Sequence, residues 1–171
     1  MKIEIRNLKF SAFASEETNC FEATIYIDGK RAGTARNAGH GGPTDIDPRE
    51  CEARLNAHAA TLPKIVSDIR EETDPTGFFT YDPTGESLVD DLVAEALVER
   101  DLKKALAKRV LFTRVGGASI FQMKAAKADM LARTLADPGL AQKLKADKIL
   151  NLIPLADALV LYKAGTRPGQ S

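Results

Sequence analysis

Apolar and polar residues alternate cleanly from Phe21 to Ile27, with Phe21, Ala23, Ile25 and Ile27 on one side and Glu22, Thr24 and Tyr26 on the other. A period of two marks a strand with one buried face. Asp28-Gly29 follows, a dipeptide suited to the two-residue type I′ turn because both central positions there need positive φ. The return strand is predicted over Lys30 to Arg36, with small residues at Ala32, Thr34 and Ala35. Upstream, Ile3, Ile5, Leu8, Phe10 and Phe13 predict an extended first segment with one irregularity. A three-stranded antiparallel meander therefore leads into a glycine-rich loop.

Periodicity then changes. Asp47-Pro48-Arg49-Glu50 predicts a helix start, with Asp47 as cap, Pro48 in the first helical position and Glu50 reaching back. Cys51, Leu55, Ala59 and Leu62 recur at helical spacing up to Pro63. Beyond it, Ile65, Val66 and Ile69 suggest a helical turn and Phe78 to Tyr81 a short strand, flanked by turn signals at Asp74–Gly77 and Asp82–Gly85. The longest apolar stripe, Leu88, Val89, Leu92, Val93, Ala96 and Leu97, predicts a helix over about Glu86 to Arg109. Val110–Arg114 and Ala118–Lys124 around Val115-Gly116-Gly117 predict a second hairpin. Helices follow over about Ala126–Ala136, after Asp137-Pro138, and over Pro154–Ala164 with Gly165 as its C′ residue.

Strands and helices in this order, without regular βα alternation, predict an α+β fold: antiparallel sheet packed against several helices, one of them long and central. One domain over 1–164 is expected, comprising 1–46 (meander and glycine-rich loop), 47–109 (helical, acidic) and 110–164 (hairpin and helices, basic), with a flexible tail over 165–171. The 171 residues, 44% hydrophobic and 28% charged, suffice for a packed core. Charges interrupt the N-terminus at Lys2, Glu4 and Arg6, unlike a signal peptide. No apolar run reaches the roughly 20 residues of a membrane span. Cys20 and Cys51 cannot make a disulfide framework. A cytoplasmic protein without membrane contact is expected.

Net charge is zero but unevenly spread: residues 45–101 hold 15 acids against 5 bases, and 102–171 hold 13 bases against 4 acids. Such asymmetry suits an acidic partner or nucleic acid, with Lys103, Lys104, Lys108, Arg114 and Lys124 as charge contacts. It is equally accounted for by a helix dipole, since acids open the long helix and bases close it, and by attraction between the two halves.

Chemistry concentrates in Asn37-Ala38-Gly39-His40-Gly41-Gly42-Pro43-Thr44-Asp45. Gly39, His40, Gly41, Gly42, Thr44 and Asp45 are the candidate binding residues, and His40 is the candidate catalytic one as a general acid/base. The surrounding N–H groups could instead form an anion-binding nest. A tight connection that needs positive φ at Gly41 or Gly42 explains the glycines equally well. The loop lacks the lysine and Ser/Thr of a phosphate-binding P-loop, and no cofactor is called for. The spacings of Cys20, His40, Cys51 and His58 fit no zinc pattern, and Cys51 and His58 lie about 10.5 Å apart along one helix. No metal is expected. Phe112 and Phe121, with Arg114 and Lys124 on the same hairpin, are able to stack on single-stranded nucleic acid, although alternation points the aromatics at the core.

The segments Cys20–Gly33, with Gly39-His40-Gly41-Gly42, and Val110–Thr113, Phe121-Gln122, Lys124–Lys127 and Lys148–Pro154 resemble small proteins carried by phages, prophages and plasmids. That resemblance covers under half of the chain and brings no catalytic residues. It implies a bacterial setting and an accessory protein for host takeover or anti-defence, acting by binding a host protein or a nucleoprotein complex. The alternative is a small enzyme or nucleotide-binding protein in which His40 acts as acid/base and Thr44 or Asp45 orients substrate.

Overall fold

The computed structural model describes residues 1–70, 77–124 and 128–166. The fold is α+β, and the described residues form a four-stranded antiparallel sheet, two separate hairpins and five helices including one long one. It groups into two compact units, Met1–Ala94 and Glu95–Ser171.

In the first unit β1 (Ile3–Phe10), β2 (Phe21–Ile27), β3 (Lys30–Asn37) and β4 (Asp45–Asp47) pair in sequence order. The irregularity in β1 is a register shift between Arg6 and Lys9, with Asn7 at φ 55°. Asp28 and Gly29 take φ of 51° and 79°, as a type I′ turn demands. Replacing Gly29 with valine should therefore cost about 1 kcal/mol or more, since a β-branched residue is strained at positive φ. An unchanged thermal midpoint would refute the turn.

The buried face is set by register. Phe21 stands opposite Asn37, Ala23 opposite Ala35 and Ile25 opposite Gly33, and all six are buried. β3 thus extends to Asn37, beyond the expected Arg36, and its inward residues are Gly33, Ala35 and Asn37. An amide consequently closes the apolar face.

The helix start departs from expectation. Asp45–Asp47 forms an edge strand, with Asp47 opposite Thr34. Asp47 is therefore not the cap: α1 (Arg49–Ala59) begins after Pro48, across a cis Asp47–Pro48 peptide and with no side-chain cap. Cys51, Leu55 and Ala59 are buried as the stripe predicts, whereas Leu62 lies past the helix and is exposed. Residues Ile65–Arg70 form β5, a strand instead of a helical turn, because they pair antiparallel with β6 (Phe78–Tyr81). The turn expected at Asp74–Gly77 falls, at 74–76, outside the described residues.

The long helix α2 (Gly85–Leu106) has a capping box that periodicity alone does not reveal. Thr84 N–H donates to Ser87 Oγ (2.9 Å) and Ser87 N–H to Thr84 Oγ1 (3.1 Å). Val89 and Val93 are buried in the first unit, Leu97 and Leu102 in the second. α2 stops at Leu106 because Arg109 belongs to the next strand.

In the second unit β7 (Arg109–Phe112) pairs with β8 (Phe121–Lys124). Alternation along β7 serves two cores. Val110 and Phe112 join Leu131, Leu140 and Ile149, while Leu111 joins Leu102, Leu150 and Ala158. The surrounding helices are α3 (Ala128–Leu135), α4 (Leu140–Leu144) and α5 (Leu155–Thr166). α5 runs through Gly165, so that residue does not terminate it; the tail from 167 onward lies outside the described residues. Asn151 clamps the turn into β7, accepting from Leu111 N–H (2.9 Å) and donating to the carbonyls of Leu106 (3.0 Å) and Arg109 (2.9 Å).

Candidate functional site

The glycine-rich loop links β3 to β4 as a hairpin connection, not a strand to a helix. Its centre is the Asn37 amide, 7% exposed. Thr18 Oγ1 (2.8 Å) and Gly39 N–H (2.8 Å) donate to Asn37 Oδ1. Asn37 Nδ2 donates to the Gly42 carbonyl (3.0 Å) and to Thr44 Oγ1 (3.1 Å). Both amide donors and both acceptor positions are filled, which meets the cost of burying the group.

The network extends at both ends. Gly41 N–H donates to Thr18 Oγ1 (3.3 Å), and the Thr44 hydroxyl donates to Asp90 Oδ1 (2.7 Å) on α2. Thr44 N–H donates to Glu86 Oε1 (2.7 Å). Hydrogen bonds thus run in one direction from Gly41 through Thr18, Asn37 and Thr44 to a carboxylate, and such chains polarise one another.

Gly39 holds a second segment. Its carbonyl accepts N–H groups from Glu16 (2.9 Å), Glu17 (3.0 Å) and Thr18 (3.3 Å). At φ 91°, a Cβ there would run into the Ala14 carbonyl oxygen and stand 2.9 Å from Cys20 Cβ. Residues 11–20 are therefore fastened directly onto the loop, and Ser15 Oγ adds bonds to Ser11 O and Cys20 N–H, both 2.8 Å. On this platform Phe13, in a single 3-10 turn (Ala12–Ala14), is 99% exposed. Phe13 does not continue the first strand as its apolar character suggested: β1 ends at Phe10.

Each predicted site residue now has a place. Gly39 is buried, and Gly41 is exposed at φ 79° with its N–H bonded to Thr18 Oγ1. Gly42 has ordinary φ and open space, so the requirement for glycine expected there is absent. The N–H groups of Gly39, Gly41 and Thr44 are bonded within the protein, which removes them from an anion nest. His40 is exposed, with Nδ1 3.2 Å from Glu16 Oε2. Asp45 pairs with Arg36 Nε (3.3 Å). A groove of about 630 Å³ runs past Thr44, Asp45, Arg49, Glu52 and Glu86, and one of about 640 Å³ past Phe21, Arg36, Asn37 and Asp45; His40 lines neither.

Burial pushes the Asp90 carboxyl up from its ordinary 3.8, opposed by the Thr44 hydrogen bond and reinforced by the charges of Glu86 and Asp91. A raised folded-state value means stability that is present in acid and lost as pH rises through that value. The wild type should therefore gain on Asp90→Asn as pH falls toward 4, read as the difference between their urea midpoints at each pH. A difference constant with pH would show that Asp90 is not perturbed.

Burial also pushes the Cys51 thiol up, which keeps it protonated and inert. Among the described residues no three His, Cys, Asp or Glu side chains are gathered to hold a metal, and no helix is long and apolar enough to cross a membrane. Of the basic contacts, Lys103 pairs with Glu99 and Lys104 with Asp101, while Lys108, Arg114 and Lys124 have no carboxylate partner among the described residues.

The residues that sequence reasoning missed are Asn37, Thr18, Asp90 and Phe13. Extending the alternation Gly33, Ala35 by one step would have placed Asn37 inward. No protein-family model, curated protein or solved structure matches the chain significantly.

Proposed function

We propose that this is a non-catalytic binding protein that engages a host protein, alone or within a nucleoprotein complex, through the Phe13 lobe. The supporting observation is a fully exposed aromatic side chain on a segment fastened by three N–H groups to one buried glycine carbonyl. Rigid aromatic anchors bind strongly because little conformational entropy is lost when they are buried. Glu16 and Glu17 beside Phe13 favour an apolar pocket with a basic rim. In this reading the glycine-rich loop is a mount rather than an active centre. The resemblance to phage, prophage and plasmid proteins supports an accessory role in the bacterial cytoplasm, in host takeover or anti-defence.

A photo-crosslinking residue at position 13, expressed in the bacterial host, should give a discrete protein adduct that the same residue at position 30 does not. His40→Ala should weaken the adduct modestly, by loss of its pair with Glu16, without altering the thermal midpoint. Absence of an adduct at 13, or a folded His40→Ala protein that has lost a measurable turnover, would overturn the reading.

A further inference from the structure

The second unit carries 14 Lys and Arg against 7 Asp and Glu. Its hairpin presents an ordered stack at the loop end. Phe112, in the core, lies 5.7 Å from Phe121 with rings inclined by 26°. The Arg114 guanidinium sits over Phe121, 4.4 Å from the ring centroid. Phe121 is 36% exposed and Arg114 is exposed beside it, so the expectation that both aromatics face the core holds for Phe112 alone. At Gly116 and Gly117, in the loop that joins the two strands, an added Cβ would meet nothing within 4 Å.

Three more cations lie at the other, open end of the hairpin, about 10 Å along the strands, and lack carboxylate partners among the described residues. Arg109 and Lys124 are opposite each other across the hairpin, with Arg109 hydrogen-bonded to Gln122, and Lys108 precedes them. Among the described residues an acid attached to this edge is Asp147, whose N–H donates to the Thr113 carbonyl (2.8 Å) and whose side chain is exposed. A planar guanidinium already backed by an aromatic ring offers its outer face to a base and its N–H edge to phosphate. Duplex DNA has no unstacked base to place there.

We propose that the second unit binds single-stranded nucleic acid, with an unpaired base stacked on Arg114 and the backbone neutralised by Lys108, Arg109 and Lys124. The stack fixes the site; the unpaired cations supply affinity that depends on salt. DNA and RNA share the chemistry, and the two are separated by testing both.

The test is fluorescence anisotropy of the full chain with labelled oligothymidylate, oligouridylate and a duplex, each about twelve nucleotides long, at about 50 mM salt and above. At least one single strand should bind well above the duplex. Arg114→Ala should weaken binding about tenfold or more and reduce the salt slope by about 0.7. Arg114→Lys keeps the charge but not the plane, so it should lose affinity comparably while keeping the slope. No binding at low salt, equal affinity for the duplex, or an Arg114→Lys protein as tight as wild type would overturn the proposal. Phe121→Leu, checked for its fold by circular dichroism, should weaken binding as Arg114→Lys does. No protein partner takes part, so this outcome and the Phe13 crosslink are read separately.

Discussion

Replacing Asn37 with alanine should destabilise the first unit by about 2–4 kcal/mol, because it leaves buried polar groups without partners. Four hydrogen bonds meet at this amide, and among the described residues it is the side-chain partner of both the Gly39 N–H and the Gly42 carbonyl. The loss is not limited to the direct bonds, since Thr18 and Thr44 are oriented by the same group. Urea denaturation followed by circular dichroism measures the cost, and amide exchange over 39–44 locates it. A loss below about 1 kcal/mol would mean that water replaces the amide and that the lock is not structural. Asn37→Asp sharpens the test. It keeps the acceptor for Thr18 and Gly39 but loses the donors to Gly42 and Thr44, so it should recover partly in acid, when one carboxyl oxygen can donate again.

Gly39→Ala should cost a similar amount, about 2–4 kcal/mol, by adding positive-φ strain to an overpacked contact. The methyl group would meet backbone at Ala14, which cannot rotate away as a flexible side chain could. The segment carrying Phe13 must then lift off the loop. Stability and the crosslink at position 13 should therefore fall together. Gly42→Ala is the matched control: with ordinary φ and open space, it should stay within about 0.5 kcal/mol of wild type. Equal effects at the two glycines would refute the buttress and return the loop to a generic flexible connection.

Several elements were readable because their causes are local. The inward residues of β2 follow from alternation, and the tip at Asp28-Gly29 from the few residues that tolerate positive φ at both central positions. The α2 stripe is likewise readable, although the local pattern carries the helix three residues past Leu106 because Arg109 fits a helical terminus as well as a strand start. β4 and β5 depart from the local pattern for a different reason. Asp45-Ile46-Asp47 looks like a cap, and Ile65, Val66 and Ile69 fit either period; pairing with Thr34–Arg36 and with Phe78–Tyr81 decides both.

The candidate site was located but not interpreted. Three glycines, a proline and a histidine in one short stretch marked the loop as unusual, and a glycine was indeed needed at position 39. What it is needed for depends on residues 14–20, which no local pattern connects to it. Phe13 looked like a strand residue because hydrophobicity records what a side chain prefers, not where the chain places it.

Sequence by itself determined the α+β class, the meander around Asp28-Gly29, the long helix, the second hairpin and the opposite charge of the two regions. These rest on periodicity, turn chemistry and composition, which act within a few residues. Only the tertiary structure decided that Asn37 is a buried junction, that Gly39 fastens a distant segment, that Phe13 faces solvent and that Arg114 lies over Phe121. Each of these joins groups separated along the chain, from the 7 positions that separate Arg114 from Phe121 to the 46 that separate Thr44 from Asp90, and such contacts exist only once the strands have brought their ends together.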